Sequence, residues 1–420
     1  MHFSFKVARP SRTLLRRSVP VAITLLTLAC ASPAWAQRVT LVEGLTAEQV
    51  LVQLNNGLGA RPVGEAMGLA TALEISTAPF GTSSGGFVFK LDPATGLLAR
   101  TTTTFGPSFS DRALTSGEGQ VSVGATFSSS SYDALSDLPL ARLPLGLVTA
   151  GSPTVSRTGT GDFKISSRTL AVSGALGVTE NFDVGVVVPV VTLKLAATTV
   201  LTTGAGIVPR IAETDGVYTG IGDVSAIAKY RFLKFKGPDL PDPGGLALLV
   251  NMRLPTGDRD NLRGLGITRT LVSVVGSAGR GRFRPHASGG FEVWSKGLDV
   301  STNPATGEKV SVRHQIQYTA GVELEATPKL TLLVDFLGQH IRGGGQVGLV
   351  TDTPPVNPAG ITSVQSMVAL SEGIRKALVV PGLKVNLKGK MLLSLHAIIT
   401  LTNDGLRAKI TPVAGINLTM

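Results

Sequence analysis

The sequence predicts an all-β fold: a closed antiparallel transmembrane β-barrel of about twelve strands with a small N-terminal helical and hairpin region. Three observations predict it. First, apolar residues alternate with polar ones over many segments, the period of a strand with one apolar face. The chain even ends this way, with Leu406, Ala408, Ile410, Pro412, Ala414, Ile416, Leu418 and Met420 all apolar and the mostly polar Arg407, Lys409, Thr411, Val413, Gly415, Asn417 and Thr419 between them. Second, mean hydropathy is +0.28, yet past residue 36 no uncharged apolar run approaches the ~20 residues of a membrane helix. The longest, Val184–Leu193, stops at Lys194. Third, the start of the chain reads as an export signal. A backbone that satisfies itself in lipid without helices is a closed barrel.

Residues 1–36 carry Lys6, Arg9, Arg12, Arg16 and Arg17, then an apolar run from Val19 to Cys30, then Ala34-Trp35-Ala36. That is the pattern of a cleaved secretory signal peptide. A lipoprotein reading would use Cys30, but Thr27 stands where an apolar residue is wanted. Cys30 is the only cysteine, so neither a disulfide framework nor a thiolate metal site is expected. The signal's five basic residues also inflate the net charge. Without them 34 Lys and Arg face 28 Asp and Glu, a net of +6. With aromatics at 5% and no basic stripe, nucleic acid is not an expected partner.

Residues 37–118 form an N-terminal region that either sits in the periplasm or plugs the lumen. Thr46 and Gln49 in "TAEQVLVQLNN" make a capping box for a short helix. Pro62 in "RPVGEAMGLATALEI" stands at a helix start. "GGFVFKLDPATGLLARTTTT" reads as a hairpin turning at Pro93–Gly96.

Residues 119–420 are the expected barrel. Strands are expected near 119–131, 164–178, 182–196, 220–234, 245–255, 266–277, 282–295, 313–326, 329–342, 376–388, 390–402 and 405–420. The connections sort into two alternating sets. Those at 179–181, 235–244, 279–281, 327–328 and near 389 are mostly short; those at 132–163, 197–219, 256–265, 296–312 and 343–375 are long, with a short exception near 403–404. Short periplasmic turns and long external loops are the habit of bacterial barrels. In a closed barrel the last strand pairs with the first, which explains alternation up to the final residue. Met420 stands where an aromatic residue is the usual ending.

Several stretches resemble a known family: "FGPSFSDRALTSGEGQVSVGATF" (105–127), "GVTENFDVGVVVP" (177–189), "GIGDVSAIAKYRF" (220–232), "MRLPTGD" (252–258) and "NDGLRAKITPVAGINL" (403–418). They resemble transporter-like bacterial outer-membrane barrels linked to phenol meta-pathway degradation, a group distantly similar to long-chain fatty-acid transporters of the FadL type. The resemblance implies uptake of small hydrophobic or aromatic compounds. It carries over no binding residue.

Candidate lumen-lining residues follow from the inward phase of each strand. The basic ones are Lys229, Arg231, Arg253, Arg282, Arg284, Lys384, Arg407 and Lys409; the acidic ones are Asp223, Glu292, Glu323, Glu325 and Asp335; His286 and His396 join them. Two readings stay open: a paired network that holds the barrel rigid, or a polar conduit whose lining sets selectivity. His286 and Ser288 in "RPHASGGFE" suggest a base and nucleophile pair, but their inward phase is wrong for a lipid hydrolase. No enzyme activity, cofactor or metal is expected: His314, His340 and His396 lack ligand spacing. Pro189 is a candidate wall irregularity, because proline in a strand interior removes a ladder donor. The hypothesis is that the wall is irregular over 187–191 and that residues 37–104 cover it from inside.

The expected function is a passive outer-membrane channel or transporter for small hydrophobic or aromatic molecules. The alternatives are a sealed structural barrel and, behind it, a lipid-modifying enzyme. Expected partners are outer-membrane lipid, a small hydrophobic or aromatic cargo and, transiently, the barrel assembly machinery.

Overall fold

In a computed structural model of the chain, residues 37–40, 46–56, 61–79, 89–91, 98–100, 102–148, 156–203, 210–236, 242–303, 308–352, 364–387 and 390–420 are described. The segment 1–36, expected as a signal peptide, and residues 92–97, which contain the expected hairpin turn, lie outside them.

Twelve antiparallel strands close into a barrel. They are β1 (Val121–Tyr132), β2 (Ser156–Thr179), β3 (Phe182–Thr203), β4 (Ser225–Lys234), β5 (Gly244–Arg253), β6 (Arg269–Ala278), β7 (Phe283–Trp294), β8 (Glu308–Thr327), β9 (Leu330–Asp352), β10 (Val364–Asn386), β11 (Met391–Thr400) and β12 (Ile410–Thr419). Each pairs with the next, and β12 pairs with β1. The Val121 N–H donates to the Met420 carbonyl at 3.0 Å and the Met420 N–H returns to Val121 at 2.7 Å. The last residue is therefore held on a closed wall.

The side-chain phases are those of a barrel in lipid. Val123, Phe127, Val172, Val186, Tyr230, Val274, Phe283, Tyr318, Val334 and Leu418 point outward and are exposed. Asp183, Lys229, Arg231, Arg284, Glu323 and Asp335 point inward and are buried. A water-soluble sandwich would show the opposite arrangement. Among the described residues no helix is long and apolar enough to span a membrane.

Five strands run further than expected. β2, β3, β8, β9 and β10 each have 20 to 24 residues, well beyond the ~9–11 that cross a bilayer. Parts of the expected long loops are thus strand, raised beyond the lipid belt at the end opposite both 121 and 420. A further strand, Arg210–Ile221, pairs with the upper half of β3. The expected single strand over 220–234 is therefore split, with residues 222–224 between its two parts.

Two helices, α1 (Ala47–Asn56) and α2 (Arg61–Thr77), pack in one apolar cluster with inward residues at the long-hairpin end, including Val191, Leu193, Leu262, Trp294 and Ile341. The capping box at α1 is reciprocal: the Gln49 N–H donates to Thr46 Oγ1 at 3.3 Å, and the Thr46 N–H donates to Gln49 Oε1 at 3.1 Å. Residues 102–118 then cross the bore as an irregular strap.

Candidate functional site

The strap meets the inward charges expected from the sequence. Irregular backbone inside a barrel needs a partner for each N–H and C=O, and side chains of the wall supply them. On one side, the Gly106 N–H donates to Glu323 Oε2 at 2.9 Å and the Phe105 N–H to Thr331 Oγ1 at 3.2 Å. Lys384 Nζ donates to the Pro107 carbonyl at 2.7 Å. Asp335 then accepts from the Ser108 and Phe109 N–H groups, both at 3.2 Å, and from the Ser110 hydroxyl at 2.8 Å. On the other side, Lys229 reaches the Arg112 carbonyl at 3.4 Å, and the Ser116 N–H donates to Asp183 Oδ2 at 2.9 Å. Arg112, fully buried, lies 3.9 Å from Glu323.

A second group of charges holds α2. Arg253 and Arg269 both donate to the Ser76 carbonyl near its C-terminus, Arg269 at 2.8 Å. Cations there complement the helix dipole. Arg269 also lies 3.5 Å from Asp223 and 3.7 Å from Glu292, and Glu292 accepts from the Trp294 indole at 2.7 Å. Lys376 pairs with Glu74 of the same helix. A third group sits near the short-turn end, where Arg231 grips Asp242 with two bonds of 2.6 and 2.5 Å and Arg284 donates to the Asp242 carbonyl at 3.1 Å.

Four expected lumen residues are not in these groups. Arg282 is exposed in the turn before β7, and Glu325 is half-buried beside it, its N–H bonded to the Arg282 carbonyl at 3.0 Å. Arg407 pairs with Asp133 at 2.9 Å in a small sheet of 134–135, 138–139 and 406–407. Lys409 is exposed just before β12. The alternation from Leu406 onward belongs to two elements: Leu406 and Ala408 are buried, whereas Ile410, Ile416, Leu418 and Met420 are exposed.

His286 and Ser288 do not form a base and nucleophile pair. Ser288 Oγ lies 2.8 Å from Thr319 Oγ1. His286 Nε2 lies 2.7 Å from Ser110 Oγ and 2.9 Å from Asp335 Oδ1. Hydrolytic triads place nucleophile and orienting carboxylate on opposite ring nitrogens; here Ser110 and Asp335 meet the same one, and the carboxylate on the other side, Glu323, stands 3.7 Å from Nδ1, beyond hydrogen-bond reach. His396 Nε2 meets Ser108 Oγ at 2.9 Å, and its ring stands edge-on to Phe109. Both histidines hold the strap.

Between α2 and the strap lies a chamber of about 120 Å³. Val187, Ile227, Leu249, Leu271, Leu337 and Phe109 give it an apolar side, and polar or charged residues, among them Ser225, Asn251, Gln317, Thr319, Asp111 and Arg253, form the other. Ser225 Oγ and Asn251 Oδ1 have no hydrogen-bond partner among the described residues.

The wall beside this chamber is interrupted at Pro189. Toward β2 the register is continuous, with Pro189 opposite Ala171. On the other side Val187 pairs with Ser225 and Val190 with Ile221, so Val188 and Pro189 face three residues, Gly222, Asp223 and Val224. The Gly222 N–H donates to the Pro189 carbonyl at 2.9 Å. The freed Val224 N–H donates to Thr256 Oγ1 at 2.9 Å, and that hydroxyl donates to the Gly222 carbonyl at 2.8 Å. Asp223 turns inward to accept from Gly257 and Leu265 at 3.2 and 3.3 Å. The irregularity is thus a β-bulge whose backbone groups are satisfied by the loop 254–268.

A closed barrel with an apolar exterior and a plugged, charge-lined bore defines a transmembrane β-barrel of the outer-membrane type. No protein-family model and no curated protein matches the chain. Solved structures that resemble it include an outer-membrane channel from Pseudomonas putida, at 11% identity over 73% of this chain and 98% of that one, with a TM-score of 0.46. The Ralstonia pickettii toluene transporter TbuX aligns at 12% identity over 72% and 90%, with a TM-score of 0.33. A Pseudomonas aeruginosa FadL homologue aligns at 11% over 82% and 98%, with a TM-score of 0.30.

Proposed function

We propose that the chain is an outer-membrane passage for small hydrophobic or aromatic molecules. The observation that carries this reading is the chamber. Val187, Ile227, Leu249, Leu271, Leu337 and Phe109 give it a continuous apolar side, it offers the unpartnered Ser225 and Asn251 oxygens to a cargo with one polar group, and through Val187 and Ser225 it abuts the bulge at Pro189. The axis of the bore is filled above by the helices and below by the strap. A cargo in the chamber therefore has its shortest way out through the wall at 188–189 and 222–224, into the outer leaflet. The cargo class follows the family resemblance of the sequence. Lipid along the exposed belt, and the barrel assembly machinery during insertion, complete the proposed partners.

The test is occupancy. Crystals soaked with a brominated monoaromatic compound should show anomalous density between Val187, Leu249 and Phe109. No density there at millimolar compound contradicts the reading. The sealed structural barrel stands as a second reading because, among the described residues, the inward charges bind the strap; an empty chamber would favour it.

A further inference from the structure

Above the lipid-facing rows, at the long-hairpin end, three neighbouring strands bring three arginines to the outer surface. Arg313 of β8 stands directly opposite Arg342 of β9. Arg375 of β10 stands opposite His340, two residues before Arg342 and so on its diagonal. All three are exposed, while Val312, Ile341 and Ile374 beside them are buried inward. Like charges directly opposite one another destabilise a sheet pair. Among the described residues none of the three forms an ion pair with a carboxylate. Arg313 Nε donates to Ser311 Oγ at 3.1 Å. The nearby, half-buried Asp404 accepts from the Arg375 backbone N–H at 2.9 Å and from the Gln346 amide at 3.2 Å, and Glu372 is an exposed acid close by on β10.

The backbone is bent to achieve this. His314 has φ of 53° and lies at a register shift between Arg313 and Gln315. Positive φ is unfavourable for a residue with a Cβ. Without the extra residue, Arg313 would follow the inward phase of Gln315; the bulge aims it outward. His314 is held there by the Trp294 N–H, 3.0 Å from its Nδ1, and its ring lies 5.7 Å from Phe291. Just below the arginines, Ile316 and Tyr318 are exposed, with the Phe336 ring 6.2 Å from Tyr318. The cluster therefore tops an aromatic border of the lipid belt, at headgroup height.

We propose that Arg313, Arg342 and Arg375 hold a phosphate of the outer-leaflet glycolipid. Guanidinium groups bind phosphate bidentately. Acyl chains against Ile316 and Tyr318 would bring such a headgroup to these side chains. The site would relieve the mutual repulsion of Arg313 and Arg342. It rests on the outer-membrane placement of the barrel and not on transport.

The experiment is native mass spectrometry of the detergent-purified protein, titrated with bis-phosphorylated lipid A and with the same lipid lacking phosphates. The wild type should retain the phosphorylated lipid at least tenfold better. An Arg313→Gln/Arg342→Gln/Arg375→Gln variant should lose that preference, whereas Arg280→Gln, at the short-turn end, should keep it. Inorganic phosphate at millimolar concentration should not displace the lipid; displacement would assign the site to free phosphate and overturn the lipid assignment. Equal retention of both lipids by the wild type would also overturn it, and this arm decides even if the triple variant fails to fold.

Discussion

Asp335 accepts from two successive backbone N–H groups and a hydroxyl of the strap and meets His286 as well. Hydrogen bonds to a charged group contribute about 1.5–3 kcal/mol each. Asp335→Ala should therefore free the strap without unfolding the wall. Hydrogen exchange over 105–112 should rise by at least tenfold while heat-modifiable gel migration persists; unchanged exchange would mean that the strap is held elsewhere. Gly177 makes a different demand. A Cβ there would collide with the Gly117 carbonyl, where the strap leaves the bore. Gly177→Ala should cost about 1–3 kcal/mol, as overpacking does. Gly289→Ala, with no atom within 4 Å of the new Cβ, is the neutral control. Comparing the two unfolding midpoints in urea checks both. Residue types made the inward charges legible, because alternation fixes which face each occupies. Their partners were not legible, since they are mainly backbone groups of an irregular segment, which no side-chain pattern announces.

The strands were legible wherever lipid imposes an apolar outer row. On β3 that row is Val184, Val186, Val188 and Val190. Above it the pattern inverts: Thr192 and Lys194 face out, while Val191, Leu193 and Leu195 are buried. The upper strand was in the sequence as an alternation of opposite phase, and a search for lipid-facing rows passes over it. The capping box at α1 was legible because two side chains and a spacing define it. Thr46→Ala should lower helix stability by about 1 kcal/mol, seen as faster exchange within 47–51 only; an effect on the whole barrel would contradict that local role. The anchor of α2 depends on Arg269, buried between Asp223 and Glu292. Arg269→Ala strands two buried carboxylates and should cost about 3–5 kcal/mol. Arg269→Lys should recover part of it in the same urea titration, and full recovery would reduce the guanidinium to a point charge.

For the whole molecule, the stretches that resemble a transporter-like family fall on connected parts. Residues 105–116 are the strap, 177–189 run to the wall bulge, 220–232 contain its other side, and 252–258 hold Thr256, which satisfies it. The sequence suggested turns and strand starts; in the fold these four stretches each lend a residue to one chamber, whereas the fifth, 403–418, leads into the closing strand and lends none. If the bore is closed along its axis, the wild type should show no steady ionic conductance in planar bilayers, and Asp335→Ala should introduce one. The proposed route takes small apolar molecules by way of the chamber. The most direct test is uptake of a radiolabelled monoaromatic compound by cells carrying the wild type or a chamber-filled Ser225→Phe/Ser273→Phe variant, matched for folded barrel in the outer membrane. Passage through the chamber gives uptake above empty-vector cells for the wild type and at least a tenfold smaller excess for the filled variant; equal uptake by the two, or none above background for either, would contradict it.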